Sequence, residues 1–131
     1  MGRAGNGPRG RFRVHSEIVS CLFCEIVAGR IPARVAFQDE SVLAFHDINP
    51  QGPVHILVIP KRHITSVLDL TPADDALVGS LLRRATDLAR SEGLAERGFR
   101  LVFNYGEDAG YSVYHIHLHL VGGRKLGWPP G

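Results

Sequence analysis

The chain patterns as an α+β domain, with one antiparallel sheet of five strands and a short and a long helix on one of its faces. Three features predict this. Short apolar or alternating runs are bounded by Gly, Pro, Asn and Asp. Most links between them are too short for parallel crossovers, which need about a dozen residues. One long segment instead keeps a helical apolar period. The order is short helix, three strands, long helix, two strands, with no internal repeat.

Each element has its own signal. Leu22, Phe23, Ile26 and Val27 have helical spacing, and Gly29 can end that short helix. Val35–Gln38 reads as a strand, with Asp39-Glu40-Ser41 turning it into Val42–Asp47. Residues 49–53 (Asn-Pro-Gln-Gly-Pro) are a loop by composition. Val54–Ile59 is strongly apolar and reads as a central strand stopped by Pro60. Thr71 is an N-cap, with Pro72 at the first helical position and Asp74 three residues past the cap. Leu77, Val78, Leu81, Leu82, Ala85, Leu88 and Ala89 continue that helix to Gly93. Arg100–Asn104 is the fourth strand, Gly106–Gly110 a polar turn, and Tyr114–Val121 the fifth strand, ended by Gly122-Gly123.

A length of 131 residues suits one domain. With 44% apolar and 21% charged residues, the body is globular and not disordered. No apolar run reaches the length of a membrane span, and residues 1–20 lack the apolar core of a secretory signal. Residues 1–20 carry four arginines, one acid and several glycines, and read as a flexible basic tail ahead of a domain at 21–131. An Arg-rich targeting segment is the alternative, but the tail has no clear apolar face. The formal charge is +2, and without the tail 11 basic residues face 12 acidic ones. A near-neutral body argues against nucleic acid as a partner. A cytoplasmic protein without membrane attachment is expected.

The chemistry concentrates in His115-Ile116-His117-Leu118-His119. In a strand, alternate side chains share a face, so the three imidazoles point one way and Ile116, Leu118 and Leu120 the other. Such residues lie roughly 6–7 Å apart. One phosphate-sized group cannot touch all three equally, and His117 is the natural centre. A single zinc on all three would need ligands converging on a point, which a flat strand does not provide. Nucleophilic catalysis fits better. Imidazole attacks phosphorus and leaves again, and its unperturbed pKa of about 6.5 suits acid and base roles near neutrality. Ser112, His119 and His55 are polar groups able to relay a proton. Cys21 and Cys24 form a Cys-x-x-Cys that on spacing alone is a redox pair, half a metal site, or two ordinary thiols.

His-φ-His-φ-His-φ-φ, with φ apolar, is the signature of the histidine triad superfamily. The flanks extend the likeness: Gly110-Tyr111-Ser112-Val113-Tyr114 before it, then Gly122-Gly123-Arg124 and Trp128-Pro129-Pro130-Gly131 after it. Upstream stand Phe45-His46-Asp47-Ile48-Asn49-Pro50, His55, and Val58-Ile59-Pro60-Lys61-Arg62-His63. Residues 21–131 thus resemble the Hint branch of that superfamily, the histidine triad nucleotide-binding proteins.

That resemblance implies a homodimer that binds purine nucleoside monophosphates and hydrolyses nucleoside phosphoramidates. His117 would be the nucleophile, forming a nucleotidyl-histidine intermediate, with His119 polarising the phosphate. Ser112 and Val113 would lie at the phosphate and leaving group, Asn104 at ribose or phosphate, and Asp47 at the ribose hydroxyls. His46, Ile48, Phe23, Ile26 and Phe45 would line the base pocket, and His55 would complete the histidine cluster. For Phe23, Ile26 and Phe45 ordinary core is the competing reading, and for Asp47 a turn role. Relatives with a Cys-x-x-Cys hold a structural zinc, which here implies Cys21, Cys24, His63 and His115 as ligands. The family usually has Gln where this chain has Tyr111, which puts the accepted leaving group in question. Dinucleoside polyphosphate hydrolysis, or nucleotide binding with incidental catalysis, are the rival functions.

Assembly follows from the sheet. Arg100–Val102 and the strand beginning at Tyr114 leave an edge that a five-stranded sheet cannot easily protect, and two-fold pairing would remove it. The resemblance implies a ten-stranded dimer sheet. The C-terminal Trp128-Pro129-Pro130-Gly131 is expected to cross to the partner's active site.

Overall fold

A computed structural model describes residues 11–14 and 17–131. Of the segment expected to be a flexible tail, residues 1–10 and 15–16 lie outside the described residues. Within it, β1 (Arg11–Val14) pairs antiparallel with β2 (Glu17–Ser20) as a separate two-stranded sheet. The body contains α1 (Leu22–Val27), β3 (Val35–Gln38), β4 (Val42–His46), β5 (Val54–Pro60), α2 (Asp75–Ser91), β6 (Phe99–Phe103) and β7 (Leu118–Gly122). The five body strands form one antiparallel sheet in the order β3-β4-β5-β7-β6.

The helices lie on opposite faces of this sheet, which corrects the expectation of a shared face. Val42, Ala44, Ile56, Val58, Leu118 and Leu120 pack with Leu81, Ala85, Leu88 and Ala89 of α2. Leu43, Phe45, Leu57 and Ile59 point the other way and pack with Cys21 and Phe23 at α1. The reason lies in β4 and β5. Their apolar residues do not alternate with polar ones, so both faces must be covered. Truncating a fully buried residue such as Leu81 to alanine removes packing worth about 2–5 kcal/mol.

Two boundaries differ in ways that matter for the site. The last strand begins at Leu118 and not at Tyr114. Before it, the His115 N–H donates to the Val113 carbonyl (2.9 Å) and the Ile116 N–H to the Ile64 carbonyl (2.7 Å), so this stretch follows its own path. His115 and His117 therefore precede the ladder. β7 is also interior, between β5 and β6, so the open edges are β3 and β6.

The start of the long helix is as expected. A short 3-10 turn, Pro72–Asp74, leads into α2, and the Thr71 N–H donates to Asp74 Oδ2 (2.9 Å). That backbone donor, and then Arg62, hold the Asp74 carboxyl below its ordinary pKa. At the far end Gly93 takes φ +78° and the Leu94 N–H bonds the Ala89 carbonyl (2.8 Å), which turns Leu94 back into the core.

Candidate active site

His117 is fixed by three neighbours. Its Nδ1 lies 2.7 Å from the His115 carbonyl. A carbonyl can only accept, so Nδ1 carries the proton and Nε2 keeps a free lone pair. Phe23 meets the ring edge-on (centroids 5.1 Å apart, 87°), and Tyr111 stacks on it (5.6 Å, 17°). Burial pushes the His117 pKa down, opposed by the bond to His115. The ring is therefore neutral at pH 7 and its Nε2 is nucleophilic.

A second chain of bonds fixes His119. The Gln51 backbone N–H donates to His55 Nδ1 (3.0 Å), which places the His55 proton on Nε2. His55 Nε2 lies 2.9 Å from His119 Nδ1 and donates to it. His119 must then carry its own proton on Nε2. That atom is buried and has no partner among the described residues. An unpartnered buried donor is costly, and an anion would satisfy it. Burial, then the neighbouring His117 and His55, lower the His119 pKa to about 4. Burial likewise lowers that of His55.

These histidines open into a cleft of about 470 Å³. Each residue that the resemblance assigns to the nucleotide lines it: Phe23, Ile26, Phe45, His46, Asp47, Ile48, His55, Asn104, Ser112, Val113, His117 and His119. Phe23 and Phe45 are buried and belong also to the core under α1, so the two readings of these rings coexist. Ile48 stands at the mouth, 99% exposed. Asp47 divides its carboxylate. Oδ1 accepts the Asn49 N–H (2.9 Å) in a turn, and Oδ2 lies 3.5 Å from His55 Nε2. Sequence reasoning missed Gln51, whose contribution is a backbone N–H and leaves no residue-type signal. It also missed Leu22, Ile31, Pro32, Ala33 and Leu57 on the apolar wall.

A cluster of four side chains that could hold a metal ion adjoins the cleft. Cys21, Cys24, His63 and His115 bring four ligand atoms within 4.8 Å of one another. His115 Nδ1 lies 3.4 Å from Cys21 Sγ, 3.5 Å from Cys24 Sγ and 3.2 Å from His63 Nδ1, and Cys24 Sγ lies 3.3 Å from His63 Nδ1. A tetrahedron with ordinary Zn–S and Zn–N bonds has S···N edges of roughly 3.6 Å and an N···N edge of roughly 3.3 Å. The fit extends to tautomers. His115 Nε2 donates to the Pro60 carbonyl (2.8 Å), which leaves Nδ1 unprotonated toward the cluster. Their mutual hydrogen bond favours a thiolate at Cys21 and pushes the Cys24 thiol pKa up. The residues fit a four-coordinate thiophilic metal.

With the geometry in place, comparison with known proteins is specific. Residues 20–126 match the family model described as scavenger mRNA decapping enzyme C-term binding. "Adenylylsulfatase HINT1" of Arabidopsis thaliana is 50% identical over 113 residues, covering 84% of this chain and 76% of that protein. The "14 kDa zinc-binding protein" of Brassica juncea is 48% identical, covering 84% of this chain and 98% of that one. The crystal structure of a HIT family hydrolase from Legionella pneumophila superposes with a TM-score of 0.84 at 54% identity, covering 86% of this chain and all of that one. No helix among the described residues is long and apolar enough to cross a membrane. A family model matched over residues 20–126, half-identical relatives over most of the chain and a close backbone match to a HIT family hydrolase agree, and on that ground the chain belongs to the histidine triad (HIT) family of hydrolases.

Proposed function

We propose that this protein hydrolyses purine nucleoside phosphoramidates through a nucleotidyl-histidine intermediate at His117. The observation that carries the reading is the pair of opposed tautomers. His117 offers a lone pair at Nε2, while His119 offers an N–H at Nε2, both at one cleft. A nucleophile beside a preorganised donor is what phosphoryl substitution needs.

In the first step His117 Nε2 bonds to phosphorus and the P–N bond breaks. The departing amine gains a proton from solvent, for which we assign Ser112, at the cleft, as the relay. His119 Nε2–H stabilises the charge on the non-bridging oxygens. In the second step water bonds to phosphorus, the P–N bond to His117 breaks, and the water's proton is released as the nucleoside monophosphate forms. The apolar wall of Phe23, Ile26, Phe45 and Ile48 takes the purine, and the Asp47 carboxylate accepts from the ribose hydroxyls. Zinc is the metal assigned to Cys21, Cys24, His63 and His115. Held by those four side chains it would play a structural part, tying α1 to the segment before β7. Reduced, metal-held thiols suit a cytoplasmic protein, and we assign a homodimer paired along β6.

The test sets a fluorogenic adenosine phosphoramidate beside diadenosine tetraphosphate and adenylyl sulfate, the last prompted by the Arabidopsis relative's name. The reading expects the highest kcat/KM on the phosphoramidate. Faster turnover of either rival would replace it with that activity, and nucleotide binding without turnover of any would make the protein a nucleotide-binding scaffold.

A further inference from the structure

The chain has three tyrosines, and all three meet beside the nucleophile. Tyr111 is buried, and its hydroxyl donates to the Thr65 carbonyl. The phenol is thus tied away from phosphate chemistry, and what Tyr111 gives the cleft is a ring face parallel to His117 within 17°. Two further rings continue from it. Tyr114 meets Tyr111 edge-on (5.4 Å, 81°), and Tyr105 lies tilted beside it (6.2 Å, 38°). These outer rings are 54% and 50% exposed. A single exposed aromatic ring is ordinary. Two of them resting on a third that stacks on the reacting imidazole form a continuous aromatic surface from nucleophile to solvent.

We propose that Tyr105, Tyr111 and Tyr114 form a leaving-group subsite selective for amines that carry a flat aromatic ring. The proposal rests on the phosphoramidase reading above. Phosphorus in such a substrate bears two organic groups. The nucleoside occupies the apolar wall built by α1 and β4. The leaving group then departs along the opposite rim, the connection between β6 and β7. From that connection the cleft is lined by Asn104, Gly110, Tyr111, Ser112 and Val113, none of them charged. Glu107 and Asp108 of the same connection do not line the cleft, so the lining on this side offers a charged aliphatic amine no counter-ion, whereas a planar ring finds edges and faces to stack on. At the position where the family usually carries Gln, the chain has exchanged an amide for an aromatic wall.

The experiment compares two adenosine phosphoramidates whose leaving groups match in size, those of 2-phenylethylamine and 2-cyclohexylethylamine. Aromatic contacts of this kind correspond to about a three- to tenfold preference in kcat/KM for the phenyl compound. In Tyr105→Leu/Tyr114→Leu the ratio should fall toward one, with far-UV circular dichroism and adenosine monophosphate affinity reporting that the variant is folded. Tyr111→Phe should keep the preference, because the ring stays and only the bond to Thr65 is lost. Tyr111→Gln should lose it. A wild-type ratio near one, or a ratio unchanged in the double variant, overturns the subsite and leaves the hydrolase reading intact. Phosphoramidates that are all inert overturn both.

Discussion

His117 and His119 each carry one proton, on opposite ring nitrogens, and its position follows from their partners: a carbonyl for the first, an imidazole donor for the second. His117→Ala should therefore lower turnover by several orders of magnitude while adenosine monophosphate affinity changes little, since the base and ribose contacts remain. Single-turnover kinetics and calorimetry check the two halves, and a variant retaining a tenth of the activity would exclude covalent attack by this residue. The lowered pKa of His117 makes a second prediction. A nucleophile whose folded pKa is depressed stays neutral as pH falls through about 6.5. The acid limb of kcat/KM, which reports the free enzyme, should thus have its midpoint below about 6.5. Stability has the matching sign. Above about 6.5 His117 and His119 are largely neutral in both folded and unfolded chains. As pH falls below that value the unfolded chain takes up protons first, so stability declines, and it continues to fall toward pH 4, where His119 protonates. Urea titrations between pH 7 and 4 measure this.

Among the elements, α1 joins the cysteine–histidine cluster to the cleft. Cys21 caps it, its Sγ accepting the Cys24 N–H at 3.4 Å, and the same two thiols face His63 and His115. Phe23, between them, meets both His115 (6.0 Å) and His117 (5.1 Å). The metal cluster and the nucleophile are thus two ends of one packed unit, because the His115 ring faces the thiols while its carbonyl holds His117. Purified protein should carry about one zinc per chain by elemental analysis. Cys21→Ser/Cys24→Ser should lose the metal and unfold at lower denaturant, as structural zinc sites contribute directly to folding. A metal-free wild type, with no loss of stability in the double variant, would remove zinc from the account.

In the whole molecule, the sheet ends at β6 without a partner strand among the described residues, and Trp128 beyond it is 83% exposed. Arg100 of β6 links the two, its guanidinium donating to the Gly127 carbonyl (2.8 Å) and lying over the Trp128 ring (5.9 Å). An unprotected strand edge beside an exposed indole is the surface that two-fold pairing would cover. Light scattering should therefore report a dimer at micromolar concentration. Deleting residues 127–131 should change the ratio of kcat/KM between bulky and small leaving groups more than it changes thermal stability. A monomer, or a truncation with unchanged selectivity, would refute the expectation that the C-terminus reaches the partner's site.

Much of this was legible before any coordinates. The triad pattern brought His117 and His119 to one cleft, whereas the His115 ring turned away from them to Cys21, Cys24 and His63, and helix α2 announced itself through Thr71, its apolar period and Gly93. The residues that the family likeness assigned to the nucleotide do line one cleft. Local pattern carried these because each depends on neighbours in the chain. Long-range packing supplied the rest. The strongly apolar run at Val54–Ile59 marks a strand buried on both sides but does not say which helix covers which face, and α1 went to the face opposite α2. The proton positions on His55, His117 and His119 depend on a backbone N–H at Gln51 and a carbonyl at His115, groups that every residue carries. Tyr111 turns its hydroxyl to Thr65, 46 positions away, and its ring to His117, and no residue type encodes that choice. Side-chain identity is local, whereas the direction of a hydrogen bond is set by whatever backbone the fold brings within reach.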